Sequence, residues 1–125
     1  VPAKNKKRGK RYYLNLNNYR GAHYHVLNAW KKEFSRIVGE TLVPRIEELA
    51  NLVEQGPLIL TYTVYPFQKS DPANVACIVD KFFCDVLQEY EVIPDDDHTH
   101  IAEVRYRFGF VNRIDPHCDV KIENH

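Results

Sequence analysis

Hydrophobic and polar positions change period several times along the chain, and each change marks an element. In "RYYLNLNNY", Tyr12, Leu14 and Leu16 alternate with Tyr13, Asn15 and Asn17, the period-two pattern of a strand with one buried face. A polar loop follows around Asn17, Asn18 and Gly21. From about Ala22 to Val53 the spacing is helical. Val26, Trp30, Phe34 and Val38 recur every fourth residue, and Ile46, Leu49, Leu52 and Val53 resume after a break between Gly39 and Pro44. Two helices joined by a turn are predicted. "LILTYTVYPF", Leu58 to Phe67, is dense in β-branched and aromatic residues and reads as a central strand closed by Pro66. A third helix is predicted from Pro72 to about Tyr90. A strand follows in "HIAEVRYRFGFV", where Ile101, Val104, Tyr106 and Phe108 alternate imperfectly, and a last short one near "DVKI". This order predicts an α+β fold, a small mixed sheet with helices packed on one face. The pattern leaves the strand directions open.

At 125 residues and 44% hydrophobic content the chain supports one core rather than two. The net charge of zero conceals an asymmetry. Lys4, Lys6, Lys7, Arg8, Lys10 and Arg11 are six of the seventeen basic residues, leaving eleven against seventeen carboxylates beyond them. Residues 1–11 are therefore expected to be a flexible basic arm suited to a polyanion, and residues 12–125 a single acidic domain. Three cysteines without a CxxC spacing argue against a disulfide framework and a thiolate zinc site, so Cys77 and Cys84 are expected to pack in a helix. With no apolar run of membrane-spanning length and no secretory pattern, a cytoplasmic protein is expected.

Residues 71–97, "DPANVACIVDKFFCDVLQEYEVIPDDD", hold eight of the seventeen carboxylates and one basic side chain, Lys81. On a helix, Val75, Ile78, Val79, Phe82, Phe83, Val86 and Leu87 share the apolar arc. Asn74, Lys81, Asp85 and Gln88 line the other side, and Asp80 falls at the boundary. Asp71 precedes Pro72, the arrangement of an N-cap and a first helical residue. Clustered carboxylates repel unless a cation neutralises them, and hard oxygen donors suit magnesium or manganese. A loop folded back from Asp95, Asp96 and Asp97 is expected to bring Asp96 to Asp71 or Asp80. Separations beyond about 8 Å would defeat such a three-ligand centre.

These residues resemble a known family, the RusA-like Holliday junction resolvases, commonest in bacteriophages and prophages. The likeness consists of "DPAN", "DKFFCDVL", "IPDD" and the strand "HIAEVRYRFG", preceded by the Asn-rich entry "LNLNNYRGAHYHVLNAWKKEF", and it covers most of residues 12–123. It implies a RusA-like endonuclease domain with Asp71 and Asp96 as metal ligands and Lys81 as catalytic lysine. Asn74, Asp85 and Asp95 match supporting positions. Two departures stand out: Ala73 occupies the place of the family's second helix-start aspartate, and Asp85 lies four residues further from Asp71 than in RusA itself. One extra helical turn keeps the face, so Asp80 is expected to supply the missing carboxylate.

The resulting expectation is a magnesium-dependent, structure-selective endodeoxyribonuclease that resolves branched DNA as a homodimer. Lys4, Lys6, Lys7, Arg8, Lys10, Arg11, Asn17 and Arg20 would contact DNA. The alternatives are an inactive RusA-like module that binds junctions, and a structural protein in which Asp71 is only a cap. The pairs His23/His25 and His98/His100 lack a third ligand in register for zinc. No Gly-rich phosphate cradle supports nucleotide hydrolysis.

Overall fold

The computed structural model describes residues 4–7, 10–13, 24–69 and 71–125. Strands β1 (Lys4–Lys7) and β2 (Lys10–Tyr13) pair antiparallel, with Lys4 opposite Tyr13 and Lys7 opposite Lys10. The expected flexible arm thus carries two strands, and the strand expected from Tyr12 begins at Lys10. Charge does not bar this, because backbone N–H and C=O groups pair whatever side chains they carry. Leu14 and Leu16 of that predicted strand lie outside the described residues.

Helix α1 spans Tyr24–Leu42, a 3₁₀ turn Val43–Arg45, and helix α2 Ile46–Gln55. The break therefore falls after Gly39, which stays inside α1. A β-carbon at Gly39 would collide with the Tyr90 hydroxyl, so the missing side chain makes room for that ring. Pro44 sits at the start of the 3₁₀ turn, where a missing N–H costs nothing.

Strand β3 (Leu58–Tyr65) is the centre of a three-stranded sheet ordered β4–β3–β5. It runs parallel to β4 (Ile101–Phe108) and antiparallel to β5 (His117–Asn124), which is longer than the short last strand expected. Helix α3 (Pro72–Glu89) makes the crossover between the parallel strands, so it runs opposite to both. Leu58, Leu60, Tyr62 and Val64 face the helices and meet Phe34, Val79, Phe82 and Phe83 in one core, with Trp30 also buried there. Full burial of each such large apolar side chain contributes roughly 1.5–3 kcal/mol. The molecule is therefore α+β, a small mixed sheet with helices on one face.

Among the described residues the opposite sheet face has no helix of this core. In register beside Ile59 and Thr61 stand Glu103, Arg105, Lys121 and Glu123. Arg105 pairs with Glu103 at 2.7 Å and Lys121 with Glu123 at 3.6 Å, and the stems of such side chains shield the β3 residues between them. The imperfect alternation of β4 has a local cause. Its register with β3 shifts between Leu58 and Ile59, so Ile101 and Val104 both come to the helix side.

No helix among the described residues is long and apolar enough to cross a membrane.

Candidate functional site

Helix α3 starts where the sequence dictates. The Asp71 side chain accepts a hydrogen bond from the Ala73 N–H at 3.0 Å, satisfying one of the orphan donors of the first turn, and Pro72 follows. Asp71 is exposed and works as a helix cap. Asp80 lies nine residues on, and at 1.5 Å of rise per residue the two carboxylates stand about 13 Å apart along the axis. One ion cannot be shared across that span. Among the described residues no three His, Cys, Asp or Glu side chains are grouped to hold a metal. The three-ligand centre of Asp71, Asp80 and Asp96 is not assembled within this chain.

Asp80 is half-buried between helix and sheet. Its Oδ1 accepts from the Tyr62 hydroxyl at 2.7 Å and from the Cys84 thiol, one turn further along α3, at 3.4 Å. Tyr106, next to Tyr62 across the β3–β4 pair, completes the surroundings, its ring meeting that of Tyr62 edge to face at 6.1 Å. Burial and then the Asp80 charge push the Tyr62 phenol well above its ordinary range and the Tyr106 phenol up to about 12. Both phenols therefore remain donors toward the carboxylate. Burial followed by the Asp80 charge also raises the Cys84 thiol, and the Asp96 charge adds to that shift. Cys84 is thus an inert packing thiol, as expected of it, and Cys118, pushed up to about 12 by burial, is another.

The aspartate run divides by role. The Asp95 side chain accepts from the Asp96 N–H at 2.8 Å, orienting its neighbour. Asp97 accepts from the Thr99 backbone and hydroxyl and meets the His100 ring at 3.1 Å, which holds its carboxyl below the usual range and shapes the turn into β4. Asp96 is the one of the three whose carboxylate accepts no hydrogen bond among the described residues, and its charge bears on Cys84, the donor to Asp80. Asp80 and Asp96 each offer carboxylate oxygens, the donor type a hard cation takes.

Lys81 and Asp85 are exposed on the outer side of α3, Asn74 is half-buried in its first turn, and His98 is exposed in the loop. Lys4, Lys6, Lys7, Lys10 and Arg11 lie on the β1–β2 pair. Arg8, Asn17, Arg20 and His23 lie outside the described residues. His25 is in α1. Tyr62, Cys84 and Tyr106 were not predicted as site residues. The i, i+4 spacing of Asp80 and Cys84, with Asp80 at the edge of the apolar arc, was the available signal.

In comparisons with family models, curated proteins and solved structures, nothing matches this chain.

Proposed function

We propose that this chain is a magnesium-dependent, structure-selective endodeoxyribonuclease of the RusA-like type, acting in the cytoplasm on four-way junctions and other branched DNA. The observation that carries the reading is Asp80, a half-buried carboxylate held on α3 by the Tyr62 hydroxyl, with the aspartate run Asp95 to Asp97 on the segment between that helix and β4. It is supported by the order of "DPAN", "DKFFCDVL" and "IPDD" along the unit that joins β3 through α3 to β4. Magnesium, or manganese in its place, would be held by Asp80 and Asp96 and when bound supplies activation of water and polarisation of the scissile phosphate. Asp80 is kept in place by the Tyr62 and Cys84 donors, and Asp95 aims the loop that carries Asp96. Lys81, exposed and next to Asp80 in the chain, contributes positive charge to the phosphate. Basic residues of β1 and β2 supply sequence-independent phosphate contacts. Symmetric cutting of two strands calls for a two-fold dimer.

One observation favours a second reading, a module that binds junctions without cutting them. Asp71 is engaged as a cap far from Asp80, and Ala73 brings no carboxylate to that end of the helix. A four-way junction assayed for nicking in magnesium, beside a gel shift in calcium, separates the two. Under the nuclease reading the wild type nicks, and Asp96→Asn binds without nicking because it loses the charge that holds the metal but no phosphate contact. Nicking retained by Asp96→Asn removes Asp96 from the site. A wild type that shifts the junction and never nicks it establishes the binder.

A further inference from the structure

Where α1 passes through the turn Val43–Arg45 into α2, the two helices and β5 border a cavity of about 470 Å³. Val38 and Leu42 line it from α1, Leu49 from α2, Phe83 from α3, and Val120 and Ile122 from β5. The first four are buried and the two strand residues half-buried. Protein interiors pack as densely as organic crystals, so a space of this size departs from the rest of the core. Its volume falls in the range of about 300–1,000 Å³ of small-molecule sites, and its apolar lining with a few polar groups is theirs as well.

The walls are tied in place separately. At the end of β5 the Asn124 side-chain amide donates to the Leu52 carbonyl of α2 at 2.7 Å. On the other wall the Ser35 hydroxyl of α1 donates to Glu89, at the end of α3, also at 2.7 Å. Drawing either helix inward would strain one of these bonds, so the cavity is preformed.

Its polar lining is Thr41, Arg45, Glu48 and Asp119, all exposed and hence at the mouth. Arg45 donates to Glu48 twice, from Nε at 3.2 Å and Nη2 at 3.3 Å. Among the described residues Asp119 has one ionic contact, with the His117 ring at 3.6 Å. Lys121, two residues on, pairs with Glu123 at 3.6 Å, and Arg107 stands two strands away across Thr63. The mouth therefore carries a neutral ion pair and a carboxylate that no lysine or arginine balances.

We propose that this cavity binds a small organic cation, an ammonium group on an alkyl or aryl body. The body is removed from water among the helix and β5 side chains, and the ammonium meets Asp119. An anion of the same shape faces two carboxylates and a guanidinium already engaged, and a neutral molecule gains the apolar burial alone. The cavity lies at the β5 side of the sheet, whereas Asp80 stands beside Tyr62 and Tyr106 toward β4, so the assignment does not rest on the nuclease reading.

Octylammonium, octanol and octanoate share one chain length and differ in charge at neutral pH. Titrating each into the full chain while following methyl chemical shifts separates body from head group. The expected result is saturable shifts at Leu49, Val120 and Ile122, with octylammonium bound about two- to fivefold more tightly than octanol, the range of an exposed ion pair, and octanoate weakest. Asp119→Asn should bring octylammonium to the level of octanol and leave octanol unchanged. Ile37→Trp, at a half-buried lining position, should fill the space and abolish the shifts, with circular dichroism to check that it folds. Should that variant unfold, the Asp119→Asn comparison at an exposed residue still decides. Octylammonium that moves no lining methyl overturns the site, as does binding that survives in a folded Ile37→Trp. Equal affinity for the three probes, or a preference for octylammonium that persists in Asp119→Asn, overturns the cation assignment.

Discussion

Strands β3 and β4 are neighbours, parallel, equally long and similar in composition, yet they live in different solvents. β3 is buried along most of its length, with Leu60, Tyr62 and Val64 inaccessible, whereas Ile101 is the one buried residue of β4. Neither β-propensity nor alternation separates "LILTYTVY" from "IAEVRYRF" that sharply. Position in the sheet does. β3 is bonded on both edges and roofed by α3, while among the described residues β4 has one bonded edge and a helix side that α3 leaves open. The polar chemistry lies at their shared boundary, where Tyr62 from the dry strand and Tyr106 from the wet one flank Asp80.

The largest test of this contrast is truncation on each strand, measured by urea unfolding. Leu60→Ala should cost about 2–5 kcal/mol through lost burial and a cavity. Arg107→Ala on the outer side of β4 should stay within about 0.5 kcal/mol. Equal costs would mean that β4 is covered in solution.

A smaller effect is expected at the boundary. Asp80→Ala leaves the buried Tyr62 hydroxyl without its acceptor and should cost about 1–3 kcal/mol. Tyr62→Phe made in that background should then cost less than it does alone. A cycle in which the two changes simply add would dissolve the pair.

The smallest effect is a pH dependence. Tyr62 and Tyr106 have phenol pKa values raised in the folded state, so the native protein holds protons that the unfolded chain releases from about pH 10 upward. Their contribution is complete below that point and is lost as pH rises toward the folded values, about 12 for Tyr106. Unfolding midpoints should therefore fall in this window. Tyr62→Phe should flatten the fall more than Tyr106→Phe, because Tyr62 is inaccessible and Tyr106 is 40% exposed.

The chain's own periodicities determined most of the local structure. The Asp71–Pro72 start of α3, the buried character of Leu58–Tyr65 and the edge position of Asp80 on its helix are all written in residue type and spacing, because caps, strand propensity and amphipathicity act over a few residues. The distance from Asp71 to Asp80 was also legible, since nine residues on one helix span a fixed rise, and that distance alone keeps the two from a common ion within one chain. Other features depended on partners remote in sequence. The parallel run of β4 and the bond from Tyr62 to Asp80 arise only when segments far apart along the chain pack together. Gly39, inside α1, follows the same rule, for the space its side chain would need is filled by Tyr90, fifty-one residues away. Long-range packing has no period to read, and tertiary structure alone decides which exposed and buried surfaces meet.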